Sequence, residues 1–146
     1  MTGPVFVDTN VFVYFRDASD ASKQSTARTW LDHLWDARSG RTSLQVLHEF
    51  YVTVTRTLQP GMTRRDARKD LRDLLAWRPL PLTSALLERA WTVEDRHRIS
   101  FWDAMIVAAA QECRCRYLLT EDLKAGDRFG DVAVVDPFRT SFEELE

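Results

Sequence analysis

The residues of this chain best equipped for chemistry are carboxylates, and the first of them, Asp8, is placed oddly. It follows Val5-Phe6-Val7 and precedes Thr9-Asn10. Short apolar runs of this kind read as strands buried on both faces. A carboxylate at the end of such a strand does nothing for stability, because burying it unpaired costs several kcal/mol. It needs a hydrogen-bond partner or a metal. In open α/β sheets, ligands bind in the crevice outside the carboxyl ends of the strands, so Asp8 is expected to point there.

Three further acids are candidates to join it. The stretch Phe101–Ala110, F-W-D-A-M-I-V-A-A-A, is apolar apart from Asp103, and a helix apolar all round is normally buried. Asp103 has two compatible readings: the N3 acid of a cap at Ser100, favoured by the helix dipole, and a ligand facing a cation. Asp122 follows the strand candidate Tyr117–Thr120. It reads either as a turn residue or as an acid approaching Asp8 across the crevice, with Glu121 competing for that place. Glu49 has the weakest pattern, falling nearly opposite the stripe of Leu47, Tyr51, Val54 and Leu58, which assigns it to a solvated face. Its one recommendation is its place in the second turn of a helix that follows a short strand. His48 beside it has no triad or metal spacing and reads as surface.

Carboxylates that converge raise one another's pKa, and a hard divalent cation relieves this. Mg2+ and Mn2+ prefer oxygen ligands, keep several waters and act on phosphates. With such an ion a bound water becomes a nucleophile. A site of acids alone, without a cysteine, a histidine triplet or a Ser-His pair, points to phosphodiester hydrolysis. Acids spread over Asp8, Glu49, Asp103 and Asp122 are what a sheet-edge site requires, one from each element.

The elements that must position these acids alternate between strand and helix patterns. After the first strand, Asn10–Phe15 reads as a short helix or turn. A longer one runs from Ser22 to Ala37 with Ala27, Trp30, Leu31, Leu34 and Trp35 on its apolar face, and Gly40 ends it. Arg41–Ser43 reads as a strand, and Ser43 caps a helix running to Leu58. Thr63 with Asp66 opens a helix that buries Ala67, Leu71, Leu74 and Leu75. Thr83 caps Ser84–Arg96, and Ser100 caps a helix to Arg114. Tyr117–Thr120 and Val132–Val135 are strands, and Pro137 onward reads as an acidic surface tail. This alternation predicts an α/β protein with a parallel sheet and helices on both faces. No repeat or linker interrupts it, so residues 1–146 are read as one domain.

Bulk properties exclude other classes. A 45% hydrophobic, 29% charged composition fits a globular chain rather than a disordered one. The longest aliphatic run, Ala104–Ala110, is too short to span a bilayer, and no secretory leader is read at the N-terminus. Cys113 and Cys115 lack a histidine partner and read as reduced packing residues, which suits a cytoplasmic protein. A net charge of −2 makes any nucleic-acid contact local. The local candidate is Arg56, Arg64, Arg65, Arg68, Lys69, Arg72 and Arg78 against Asp66, Asp70 and Asp73, which is a phosphate-contacting face or a solvated one. Trp102 beside Asp103 is placed to stack a base, but its apolar helix assigns it to the core.

Four motifs in order resemble the PIN-domain nucleases, and most of all the VapC-type toxins of toxin–antitoxin pairs. They are V-D-T-N at Val7–Asn10, S-L-Q-V-L-H-E-F at Ser43–Phe50, S-F-W-D-A-M-I-V-A-A-A at Ser100–Ala110, and L-L-T-E-D-L at Leu118–Leu123. The resemblance implies a three-layer α/β/α sandwich and a Mg2+- or Mn2+-dependent endoribonuclease. Asp8, Glu49, Asp103 and Asp122 would be the acids, with Thr9, Asn10 and Thr120 as supporting polar groups. It also implies an RNA substrate, a homodimer and a cognate antitoxin that blocks the site. A phosphorylated-aspartate mechanism would want a second acid two residues after Asp8, where this chain has Asn10. A catalytically silent RNA- or antitoxin-binding module on the same fold is the alternative.

Overall fold

The computed structural model describes residues 3–145. Strand β1 (Val5–Val7) is buried at every position. Asp8 then caps helix α1 (Thr9–Arg16), and Asp20 caps α2 (Ala21–Asp36). After β2 (Gly40–Arg41), Ser43 caps α3 (Leu44–Val52). That helix passes into a π-helical turn at Thr53–Thr57. Thr63 caps α4 (Arg64–Leu74), Thr83 caps α5 (Ser84–His97) and Ser100 caps α6 (Phe101–Glu112). Strands β3 (Tyr117–Leu119), β4 (Arg128–Phe129) and β5 (Val132–Val135) complete the sheet. Each hydroxyl or carboxylate cap accepts from an orphan N–H of the first turn, which is why these helices start where the sequence says.

The strand order is β2-β1-β3-β5-β4. The first four run parallel and β4 runs antiparallel to β5. The six helices flank this sheet in a three-layer α/β/α arrangement. In α6 the seven residues Ala104–Ala110 are all buried. They form one core with the central strands and with Phe12, Trp30 and Phe50. The register pairs Val5 with Tyr117 and Val7 with Leu119. The residues that follow, Asp8 and Thr120, therefore emerge side by side at the carboxyl edge.

Several expectations need correcting. The sheet is not wholly parallel, because Gly130, at φ 63°, turns the chain back on itself between β4 and β5. Gly40 does not end α2. Arg38 does, in the left-handed region at φ 55°, while Gly40 sits in β2 under the Trp77 ring. The second strand is Gly40–Arg41 rather than Arg41–Ser43, and Ser43 forms an isolated bridge to Leu80 instead. Helix α6 stops at Glu112, because Arg114 is left-handed. Trp35 and Leu75 are exposed rather than buried, and so is Trp102, at 66%. Helical periodicity selects a face, but the last or first turn of that face can overhang the core. The stretch after Pro137 is not a surface tail: Phe138, Phe142 and Leu145 pack on the core. Phe142 lies stacked at 3.8 Å on His33 and edge-on at 5.8 Å to Trp30.

Candidate active site

Asp8 is only 6% exposed. The Thr9 amide donates to its Oδ1 at 2.7 Å, and the Thr120 hydroxyl donates to its Oδ2 at 2.9 Å. Burial pushes the Asp8 carboxyl up from 3.8 to about 7. The two hydrogen bonds oppose that rise, and the negative charges of Asp122 and Glu49 add to it. A carboxylate in this setting is held against its own desolvation cost.

The polar groups around Asp8 form one network. A threonine hydroxyl has one proton to give and two lone pairs to receive, and Thr120 uses all three. It donates to Asp8 and accepts from the Asn10 amide at 2.9 Å and the Asp122 N–H at 3.1 Å. Asn10 also donates to Asp122 Oδ2 at 3.1 Å and accepts from the Glu121 N–H at 3.3 Å. On the other side, the Thr9 hydroxyl donates to Glu49 Oε2 at 2.8 Å. Gln45, one turn earlier on α3, donates to Glu49 Oε1 at 3.0 Å. Both carboxylate oxygens of Glu49 are thus occupied, and the helical-wheel assignment of Glu49 to open solvent is overturned.

Asp103 makes the cap expected of it: its N–H donates to the Ser100 hydroxyl at 3.1 Å. Its negative charge also reaches Asp122. Burial pushes the Asp122 carboxyl up, helped by the charges of Glu121, Asp103 and Glu49 and opposed by the Asn10 hydrogen bond. Between the two candidates at the end of β3, Asp122 faces Asn10, whereas Glu121 pairs with Lys23. Among the described residues, no three His, Cys, Asp or Glu side chains stand close enough to share one metal ion. Asp8, Glu49 and Asp122 are tied together through Thr9, Thr120 and Asn10, whereas Asp103 is linked to them through its charge at Asp122. A cleft of about 660 Å³ opens beside them, walled by Asn10, Tyr14, His48, Glu49, Glu121 and Asp122 among others.

Gln45 and Lys23 were not singled out from the sequence. Gln45 carried a signal, since it lies four residues before Glu49 and such pairs meet on a helix face. Lys23 carried none, because its partner lies 98 positions away. On the basic stretch, Arg56, Arg64, Arg65, Arg68, Arg72 and Arg78 are exposed. Its acids are partly engaged, with Asp70 held by both arms of Arg16 at 2.7 Å and Asp73 by Lys69 at 3.3 Å. Cys113 and Cys115 are free thiols. No helix among the described residues is long and apolar enough to cross a membrane.

This fold, with acids collected at the carboxyl edge of a mostly parallel sheet, is matched over residues 5–133 by the PIN-domain family model. The chain belongs to the PIN-domain family. Among solved structures it is similar to Mycobacterium tuberculosis VapC20, a Sarcin-Ricin loop cleaving toxin. The two share 26% identity and a TM-score of 0.59, over 78% of this chain and 86% of that one. A toxin–antitoxin complex from Klebsiella pneumoniae is similar at 19% identity and a TM-score of 0.61, covering 91% and 97%. VapBC2 from Rickettsia felis, bound to a DNA fragment from its promoter, shares 16% identity and a TM-score of 0.59, covering 90% and 96%. No curated protein matches the chain by sequence.

Proposed function

We propose that this chain is a divalent-metal-dependent endoribonuclease and the toxin of a toxin–antitoxin pair. The observation that carries the reading is the state of Asp8. It is a carboxylate only 6% exposed, held by Thr9 and Thr120 in a network that also holds Glu49 and Asp122, and burial and the charges of those two acids raise its pKa. No cation among the described side chains is paired with it. Such a group is stabilised by a hard cation. The donors are all oxygens, which suits Mg2+ or Mn2+ and excludes softer sites. Mg2+ keeps several waters and takes one or two carboxylates directly.

Asp8 and Asp103 would hold the ion, with Glu49 and Asp122 beside them. When bound, the ion supplies Lewis acidity and a water nucleophile near neutral pH. The chain's own residues do the rest. Thr120 and the Thr9 amide fix the Asp8 oxygens, Thr9 and Gln45 fix Glu49, and Asn10 fixes Asp122. The reaction adds water across one P–O ester bond of RNA. Exposed arginines along α4 offer counter-charge for the strand. The likeness to VapC20, a loop-cleaving toxin, and to toxin–antitoxin complexes supports RNA as substrate and an antitoxin as partner. A homodimer is the assembly that goes with this reading.

One observation favours a second reading, a silent module that binds RNA or antitoxin without cutting: among the described residues, no three acids stand within reach of one ion. A single experiment separates the two. The protein is incubated with a random-sequence single-stranded RNA library, with and without Mn2+, and its melting point is followed against Mn2+. The nuclease reading requires Mn2+-dependent cleavage, lost in Asp8→Asn and Asp103→Asn while both variants stay folded. Specific Mn2+ binding adds about 2.7 kcal/mol at a hundred times its Kd. Binding of RNA without cleavage at any Mn2+ concentration overturns it in favour of the module.

A further inference from the structure

Lys23 lies in the first turn of α2, and its Nζ stands 2.8 Å from Glu121 Oε2. The ammonium also sits 3.4 Å from the Tyr14 hydroxyl. It lies 4.6 Å from the centre of the Tyr14 ring and 4.9 Å from that of Phe138. Both partners are shielded, with side chains 35% and 24% exposed. An ion pair set against two aromatic faces gains cation–π attraction and suffers less competition from water than an open surface pair.

The partner matters more than the pair. Glu121 is the residue before Asp122, and its N–H is already held by Asn10 Oδ1. Asn10 holds Asp122 Oδ2 with its amide. Both acids line the cleft, but their carboxylates are held by different partners: Glu121 by Lys23 of α2, and Asp122 by Asn10. We propose that Lys23 is a positioning residue for the crevice, which holds the Glu121 carboxylate against α2 at the cleft wall so that Asp122 supplies the acid after β3. This inference rests on the nuclease reading above. It makes the charge of Lys23 necessary only because Glu121 carries one. A lysine that merely packed its stem on Tyr14 and Phe138 would show no such dependence.

Three variants test it: Lys23→Met, which keeps the apolar stem and loses the ammonium; Glu121→Gln; and the double variant Lys23→Met/Glu121→Gln. Melting curves establish that each is folded, and Lys23→Gln replaces Lys23→Met if the latter is not. The readouts are the initial cleavage rate on the random-sequence RNA library and the Mn2+ concentration giving half the maximal shift in melting point. Lys23→Met is expected to cut about tenfold more slowly and to change that half-maximal concentration. Glu121→Gln and the double variant are expected to stay within about threefold of the parent on both readouts, because the defect is a coupling between the two charges. A Lys23 variant as fast as the parent, or a double variant as slow as Lys23→Met, overturns the inference alone. A parent that neither cuts nor responds to Mn2+ overturns the nuclease reading, and this inference with it.

Discussion

Thr120 donates its only hydroxyl proton to Asp8 while accepting from both Asn10 and the Asp122 N–H. One side chain at the end of β3 thereby couples the acid at the end of β1 to the acid after β3. Thr120→Val keeps the shape and removes all three bonds. The Asp122 N–H then loses its partner, which costs about 1–3 kcal/mol, while the Asn10 amide keeps Asp122 Oδ2. Urea unfolding of the variant is expected to show a loss in that range, with cleavage slowed more than stability alone explains. Unchanged unfolding would mean that water replaces the hydroxyl at no cost.

Gln45 is buried and spends its amide on Glu49. Gln45→Leu retains volume at a buried helix position and gives up that bond. Stability is expected to move by less than about 1 kcal/mol, because the lost hydrogen bond is offset by apolar burial. The cleavage rate is expected to fall about tenfold, since Glu49 keeps only Thr9. Paired melting and cleavage assays check this. A variant that loses much stability with no specific loss of rate assigns Gln45 to packing alone.

The pushed-up carboxyl of Asp8 gives the metal-free protein a signed pH dependence. Its folded value, about 7, lies above the ordinary 3.8, so the folded state prefers the protonated form. The stability Asp8 contributes is full below the ordinary value and is lost as pH rises through about 7. At roughly 1.4 kcal/mol for each unit of pKa difference, the loss is of the order of 4 kcal/mol. Asp8→Asn cannot ionise. In chelator-treated protein, the stability of the variant relative to the parent should rise between pH 4 and 7 and level off above. A difference that stays flat across that window shows that Asp8 is ionised at little cost without metal.

Gly40 offers a test of packing away from the crevice. A Cβ there would clash with the Trp77 ring, so the indole must move. Trp77 in turn packs against Phe12 and Trp35. Gly40→Ala is expected to cost about 1–3 kcal/mol, the usual penalty of overpacking, and to alter tryptophan fluorescence. Full stability would show that the Trp77 ring swings aside freely.

Much of this molecule was legible before any coordinates. The caps at Ser43, Thr63, Thr83 and Ser100 mark helix starts because a side-chain acceptor must meet an orphan N–H. Val5–Val7 reads as central because nothing polar interrupts it. What stayed hidden depends on groups far apart in the chain. Periodicity sends Glu49 to solvent, and only the motif resemblance recovers it from the sequence; the hydroxyl that holds it, Thr9, lies forty positions earlier. Helix exits were poorly marked, because four arginines, Arg38, Arg78, Arg98 and Arg114, adopt the left-handed conformation usually given to glycine. The π-helical turn at Thr53–Thr57 has no composition of its own. Two aromatic rings after Pro137 pack inward, although the surrounding acids suggest a solvated end.

The two borders of the sheet bear on how this protein meets other chains. A row of free backbone N–H and C=O groups is a template onto which a foreign strand can add. Here that template is almost absent. One border is β4, only two residues long. The other is β2, also two residues, and beside it the backbone at Thr42 and Leu44 is already taken by Leu80 at 3.0 and 2.9 Å. A partner that approaches from the side finds too short a run of open backbone to build on. Strand addition at either border is therefore disfavoured, and a peptide that binds this protein need not be extended.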